Sequence, residues 1–204
     1  MIKTITKSLA LTAAITALGA IAIPSMATAA NWSPLNTVHT LTSPSSFTFT
    51  SQGPGNSAFS CSSGPTFTGQ VRTTASPLMD LTSTTTNIPC TGTAGQFVGC
   101  NITLAMIGLP LWNVDGTSGI NNVKINSVNI EGKFATTGPG SCPNGVTFTL
   151  TGTLAGGVWS NLTRSLAFAN DTGLTWTIAG NSWPVTVTAS EFIKDTTSPF
   201  VSLM

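Results

Sequence analysis

Hydroxyl and apolar side chains alternate with period two along much of this chain, and that alternation restricts the folds open to it. In Ser46-Phe47-Thr48-Phe49-Thr50 both phenylalanines face one way and the hydroxyls the other. Val146-Thr147-Phe148-Thr149-Leu150-Thr151 and Val185-Thr186-Val187-Thr188-Ala189 repeat the arrangement. Each predicts a strand with one buried and one wetted face, as in antiparallel sheets. After residue 30, Thr, Gly, Ser, Asn and Pro dominate, and all are poor in helix interiors. A single helical turn is expected, near Ser190 to Lys194.

Further strands are predicted at Thr66 to Thr73, Leu81 to Ile88, Phe97 to Ile107, Val123 to Phe134, Val158 to Phe168 and Leu174 to Ile178. Val123 and Ile125 alternate in one phase while Val128 and Ile130 fall in the other, which predicts a bulge or turn near Asn126-Ser127. Turn signals stand at Gly53-Pro54-Gly55, Asp115-Gly116, Gly138-Pro139-Gly140, Asn144-Gly145 and Asp171-Thr172-Gly173. Nine or ten short strands at this spacing predict an all-β fold, an antiparallel β-sandwich or small barrel.

Residues 1–29 read as a secretory signal peptide. Lys3 and Lys7 supply a basic start, Ser8 to Ile23 is uncharged and mostly apolar, and Ala27-Thr28-Ala29 is an A-x-A cleavage site. Residues 30–204 then form one domain, long enough for one sizeable core. Only 6% of residues are charged, against about 25% in an ordinary globular protein. Loss of Lys3 and Lys7 leaves five basic against six acidic residues and moves the net charge from +1 to −1. Arg72, Lys124, Lys133, Arg164 and Lys194 are scattered, so no nucleic-acid partner is expected. The longest later apolar run, Leu104 to Trp112, is too short and too interrupted for a transmembrane segment. An apolar fraction of 41% argues against disorder.

Cys61, Cys90, Cys100 and Cys142 follow the signal peptide. In an oxidising compartment they read as two disulfides, with three connectivities open. A zinc site would want close pairs, and spacings of 29, 10 and 42 offer none. Cys61 and Cys90 are equidistant from a point between Ala75 and Ser76, beside Pro77. Cys100 and Cys142 are centred on Asn121 within Gly119-Ile120-Asn121-Asn122. Antiparallel strands folding back on such turns favour 61–90 and 100–142.

Chemistry-bearing residues are sparse. The one histidine, His39, lies in the extended stretch Thr37-Val38-His39-Thr40 and reads as a solvated or edge-strand residue, with no G-x-S-x-G nucleophile motif elsewhere. Asp80, Asp115, Glu131, Asp171, Glu191 and Asp195 form no metal-ligand cluster and no defined glycosidase pair. Asp115 and Asp171 read as caps on backbone amides in turns. The expectation is therefore no enzyme, no cofactor and no metal.

Five tryptophans, Trp32, Trp112, Trp159, Trp176 and Trp183, sit in strand contexts that favour the core for most of them. The segment Ala105 to Trp112 is the most apolar piece beyond the signal peptide. It reads as a buried strand ending in a turn. Its alternative is an exposed patch, with Met106, Ile107, Leu109, Leu111 and Trp112 as apolar contacts.

The layout also resembles a known family. A Thr/Ser-rich opening carries Phe47-Thr48-Phe49, Cys61 precedes Phe67-Thr68-Gly69, and Cys100-Asn101-Ile102-Thr103 leads to Leu109-Pro110-Leu111-Trp112. In these features the chain resembles the exported alkane oxidation protein activator (PraB-like) proteins. The resemblance implies a small exported, non-enzymatic β protein linked to growth on hydrocarbons and to biofilm adhesion. It implies hydrophobic partners such as alkanes and a secreted location, in periplasm, outer surface or medium. The alternative expectation is a self-associating structural subunit or adhesin of a surface fibre or biofilm matrix, assembling through sheet edges.

Overall fold

Where hydroxyl and apolar residues alternate, the chain runs as strands whose apolar faces meet in one contiguous core reaching from Trp32 to Leu203. The computed structural model describes residues 30–53, 55–62, 66–72, 77–83, 87–107, 112–117 and 120–204; the expected signal peptide lies outside them. Near the N-terminus come β1 (Trp32–Ser33), β2 (Val38–Thr42), β3 (Phe47–Ser51), β4 (Ala58–Cys61) and β5 (Thr66–Val71). They are followed by β6 (Leu78–Ser83), β7 (Ile88–Ala94), a 3-10 turn (Gly95–Phe97), β8 (Asn101–Met106) and β9 (Trp112–Asp115). Four long strands complete the sheet, β10 (Val123–Phe134), β11 (Thr147–Ser160), β12 (Ser165–Ile178) and β13 (Asn181–Asp195), before the short β14 (Ser202–Leu203).

All pairings are antiparallel, and the long strands pair in the order β10-β11-β12-β13. The two outer ones change partner along their length. Val185 to Ala189 of β13 pair with β3, whereas Lys194 and Asp195 pair with β2. Ile130 to Phe134 of β10 pair with β8, whereas Lys124 to Asn126 pair with β9. The sheet therefore closes twice. At one end the circuit runs from β13 through β3, β4, β7 and β8 back to β10. At the other it runs through β2, β5, β6 and β9. Each ring has eight strands, a number whose interior is just filled by side chains.

The partner changes fall where strands bulge. β10 shifts register between Ile125 and Val128, with Ser127 at φ 57°, at the predicted irregularity. The expected turn at Asp171-Thr172-Gly173 is a bulge inside β12 instead, flanked by register shifts. There Asp171 accepts the Ala155, Gly156 and Gly173 N–H groups, as a cap should. A Cβ on Gly173 would lie 1.7 Å from the Thr153 carbonyl oxygen, so the close approach of β11 and β12 requires glycine.

Other expectations are corrected. Ser190 to Lys194 is strand, part of β13. Adjacent Phe192 and Ile193 are both buried, which breaks the alternation a strand normally shows. Phe192 packs against Phe47, Phe67 and Phe168, joining the interiors of both rings. Leu81 to Ile88 is not one strand, since β6 ends at Ser83 and β7 begins at Ile88. Phe97 belongs to the 3-10 turn, and Val158 to Phe168 is split by a turn around Arg164, whose φ is 59°.

Two disulfides join Cys61 to Cys90 and Cys100 to Cys142. The first links directly opposed residues of β4 and β7. The second holds the loop after β10, where Cys142 N–H donates to the Pro139 carbonyl, rather than two facing strands. Both bridges lie in the ring containing β3, β4, β7 and β8. The other ring is capped by the chain ends, where β1 pairs with β14. Asn161 there imitates a strand, bonding both the N–H and the carbonyl of Leu203.

Candidate functional site

Trp176 and Trp183 are brought together by a tight hairpin. Ala179 and Gly180, both with positive φ, turn β12 into β13 and set the two indoles directly opposite each other. Trp176 is buried and Trp183 half-buried. Gly53 lies so close to Trp183 that a Cβ there would stand 2.7 Å from its ring. The 3-10 turn carries Phe97 to within 4.8 Å of the Trp176 ring.

Between these groups lies a cavity of about 240 Å³. Phe97, Trp176, Ile178 and Trp183 form its apolar walls, while Ser51, Ser57, Gln96 and Ser141 supply polar edges. The Cys100–Cys142 bridge anchors the loop that contributes Ser141 and Pro143. Ser51 Oγ accepts the Gly53 N–H and Ser57 Oγ accepts the Gln96 N–H, each at 3.1 Å, so both hydroxyls are fixed by the backbone. Among the described residues, none that lines the cavity is charged. Such a site can hold an uncharged molecule by apolar contact and hydrogen bonds.

The predicted apolar contacts are only partly described. Met106 and Ile107 are half-buried at the end of β8, and Met106 packs on the core. Ile107 also borders a shallow groove with Val128, Asn129 and Thr151. The backbone of Trp112 opens β9 opposite Leu81, and Leu109 and Leu111 lie outside the described residues. The segment leaves β8 in one ring and enters β9 in the other.

His39 is neither solvated nor marginal, which corrects the reading of the sequence. It is 1% exposed, and its Nδ1 lies 3.0 Å from Oδ2 of the equally buried Asp195. Its Nε2 lies 2.7 Å from Thr37 Oγ1. Carboxylate, imidazole and hydroxyl in a row have the outline of a nucleophile relay. The Thr37 hydroxyl, however, donates to the Pro34 carbonyl at 2.6 Å. A neutral imidazole that donates Nδ1–H to Asp195 keeps only a lone pair at Nε2, so the single Thr37 hydroxyl proton is divided between Nε2 and the Pro34 carbonyl. Asp195 also accepts the Thr197 and Val201 N–H groups, so the chain of bonds fastens the C-terminal segment across β2.

Elsewhere Asp115 caps the Thr117 N–H. Arg72 pairs bidentately with Asp80, whose hydrogen bonds hold the guanidinium above its ordinary pKa. Among the described residues, no group of three or more His, Cys, Asp or Glu could hold a metal ion. No helix among them is long and apolar enough to cross a membrane.

The cavity is hidden in the sequence because the strand contexts of Trp176 and Trp183 assign each to the core on its own. The signal was present: they are spaced symmetrically about the Ala179-Gly180 turn, and an antiparallel hairpin sets such positions opposite. No family model, curated protein or solved structure matches the chain.

Proposed function

We propose that this chain is an exported, non-enzymatic β protein that binds small hydrophobic molecules at the cell surface, aiding their contact with or uptake by the cell. The observation that carries the reading is the cavity beside the β12–β13 hairpin, with aromatic walls and, among the described residues, no charged lining. Two disulfides suit an oxidising compartment outside the cytosol. The resemblance to alkane oxidation activators supplies the ligand class, hydrophobic molecules such as alkanes.

The alternative, a fibre or matrix subunit joined edge to edge, draws less support. Each long strand has a partner on both sides, so the closed sheet offers no long edge to a second chain, and the free edges of the β1–β14 pair are two residues long. Exposed Leu162 and Met204, near the chain ends, are the features that favour self-association.

Titration of the disulfide-intact protein with medium-chain hydrocarbons and alcohols, followed by tryptophan fluorescence, tests the reading. Binding should be saturable, equally strong in low and high salt, and lost in Trp183→Ala. Salt screens charge interactions but not apolar burial. An unchanged spectrum throughout, together with filaments in electron microscopy, would replace this reading with the fibre subunit.

A further inference from the structure

Among the described residues three tryptophan side chains are buried, and two of them have hydrogen-bond partners for their indoles. Trp32 Nε1–H donates to the Val114 carbonyl and Trp159 Nε1–H to Asn161 Oδ1. Trp176 differs. Its Nε1–H is, among the described residues, the one buried side-chain polar atom without a partner, although its ring packs tightly against Phe97 and Phe148. A buried donor without an acceptor is rare in native proteins, because it has lost its water and received nothing in exchange. Trp176 is also the one of the three that forms a wall of the cavity.

The neighbouring polar groups point the same way. Ser51 and Ser57 are buried and already accept backbone N–H groups, which leaves their hydroxyl protons to be donated. Among the described residues the cavity therefore presents these donors, the Gln96 amide, an aromatic surface and no charge. A bare hydrocarbon would fill the space and leave the indole N–H unpaired. A carboxylate would enter without a cation to offset its desolvation.

Resting on the cavity as the binding site, we infer that its ligand is an uncharged molecule with an apolar body and an acceptor oxygen, whose oxygen takes the Trp176 Nε1–H. Primary alcohols, ketones and esters have this chemistry. The site is thereby selective for oxygenated hydrophobes over alkanes.

The test uses the disulfide-intact protein with 1-octanol, n-octane and octanoate, following tryptophan fluorescence and the Trp176 indole ¹H–¹⁵N resonance. Octanol should shift that resonance downfield and octane should not. Trp176→Phe should weaken octanol binding by about tenfold, the loss of roughly one hydrogen bond, and change octane binding by no more than about twofold. Should Trp176→Phe fail to fold, the resonance of the unaltered protein decides. Octanol and octane weakened alike, with a silent resonance, would overturn the inference and leave the cavity as an apolar site. Octanoate binding as tightly as octanol would overturn the requirement for an uncharged ligand. Failure of all three to bind would remove the binding site itself.

Discussion

The two rings share four strands yet are held closed by different chemistry. In the disulfide ring, Phe49, Phe59, Phe97, Phe134, Phe148 and Trp176 form a continuous stack of ring contacts, with centroids 4.8 to 5.9 Å apart. Two covalent bridges surround it. The terminal ring has no bridge. Its closure depends on the chain ends, on the Trp32–Trp159 contact and on the buried Asp195 carboxylate. Cross-links and apolar packing are local fasteners, whereas the terminal ring is complete only when residues more than 150 positions apart meet, as His39 and Asp195 do. The cavity lies in the ring that is fastened covalently, so its walls are tied by cross-links that the terminal ring lacks.

Removing the polar clasp should have the largest effect. Asp195→Ala leaves His39, Thr197 and Val201 without their acceptor, and breaking a buried pair from one side costs about 3 to 5 kcal/mol. Denaturant unfolding should show this loss, and hydrogen exchange should show amides of β1, β2 and β14 losing protection before those of β3 and β4. Simultaneous loss in both rings would mean that they do not open separately.

Removal of the first bridge attacks the other ring. With its cysteines 29 positions apart, the paired change Cys61→Ala and Cys90→Ala should cost about 3 to 4 kcal/mol in the chain-entropy model. Protection should fall first in β3, β4 and β7. Peptide mapping without reductant should find the remaining bridge at Cys100–Cys142. Equal loss of protection in β1 and β14 would erase the distinction between the rings.

His39→Ala should cost about 1 to 3 kcal/mol, the range for a buried hydrogen-bonding partner. The surviving molecule should bind its ligand normally, since the cavity belongs to the other ring. Lost binding or lost activity at an unchanged melting temperature would revive a catalytic or metal-binding role for His39.

The parts of this comparison legible in the sequence were those written in short-range pattern. Period two located the strands, the phase change at Asn126-Ser127 located a bulge, and turn symmetry paired Cys61 with Cys90. The double closure was not legible, because β13 changes partner where Phe192 and Ile193 interrupt the alternation, and pattern alone reads that interruption as a helical turn. Turn symmetry pairs Cys142 with Cys100 but puts it on a strand, since counting outward from a turn cannot foresee that β10 ends at Phe134 and a loop continues. His39 looked solvated because its partner is 156 residues away. The cavity required two hairpin-paired tryptophans and the distant Gly95–Phe97 turn to meet, and only the first of these has a local signal.

The smallest effect expected lies in the same ring as Asp195, and it isolates burial as the cause. Arg72 and Asp80 join β5 to β6 through two hydrogen bonds of 3.1 and 2.9 Å, a geometry no worse than that of His39 and Asp195. The Arg72 side chain, however, is 41% exposed, so water already solvates the charge and salt screens what attraction remains. Asp80→Asn should therefore cost less than about 1 kcal/mol, the usual worth of an exposed pair. Near 1 M salt the cost should approach zero, whereas that of Asp195→Ala should persist, because a buried carboxylate and its donors are screened little. Denaturation of both variants at low and high salt checks the contrast. A salt-resistant loss at Asp80 matching that at Asp195 would show that hydrogen-bond geometry, not burial, sets the strength of the terminal ring.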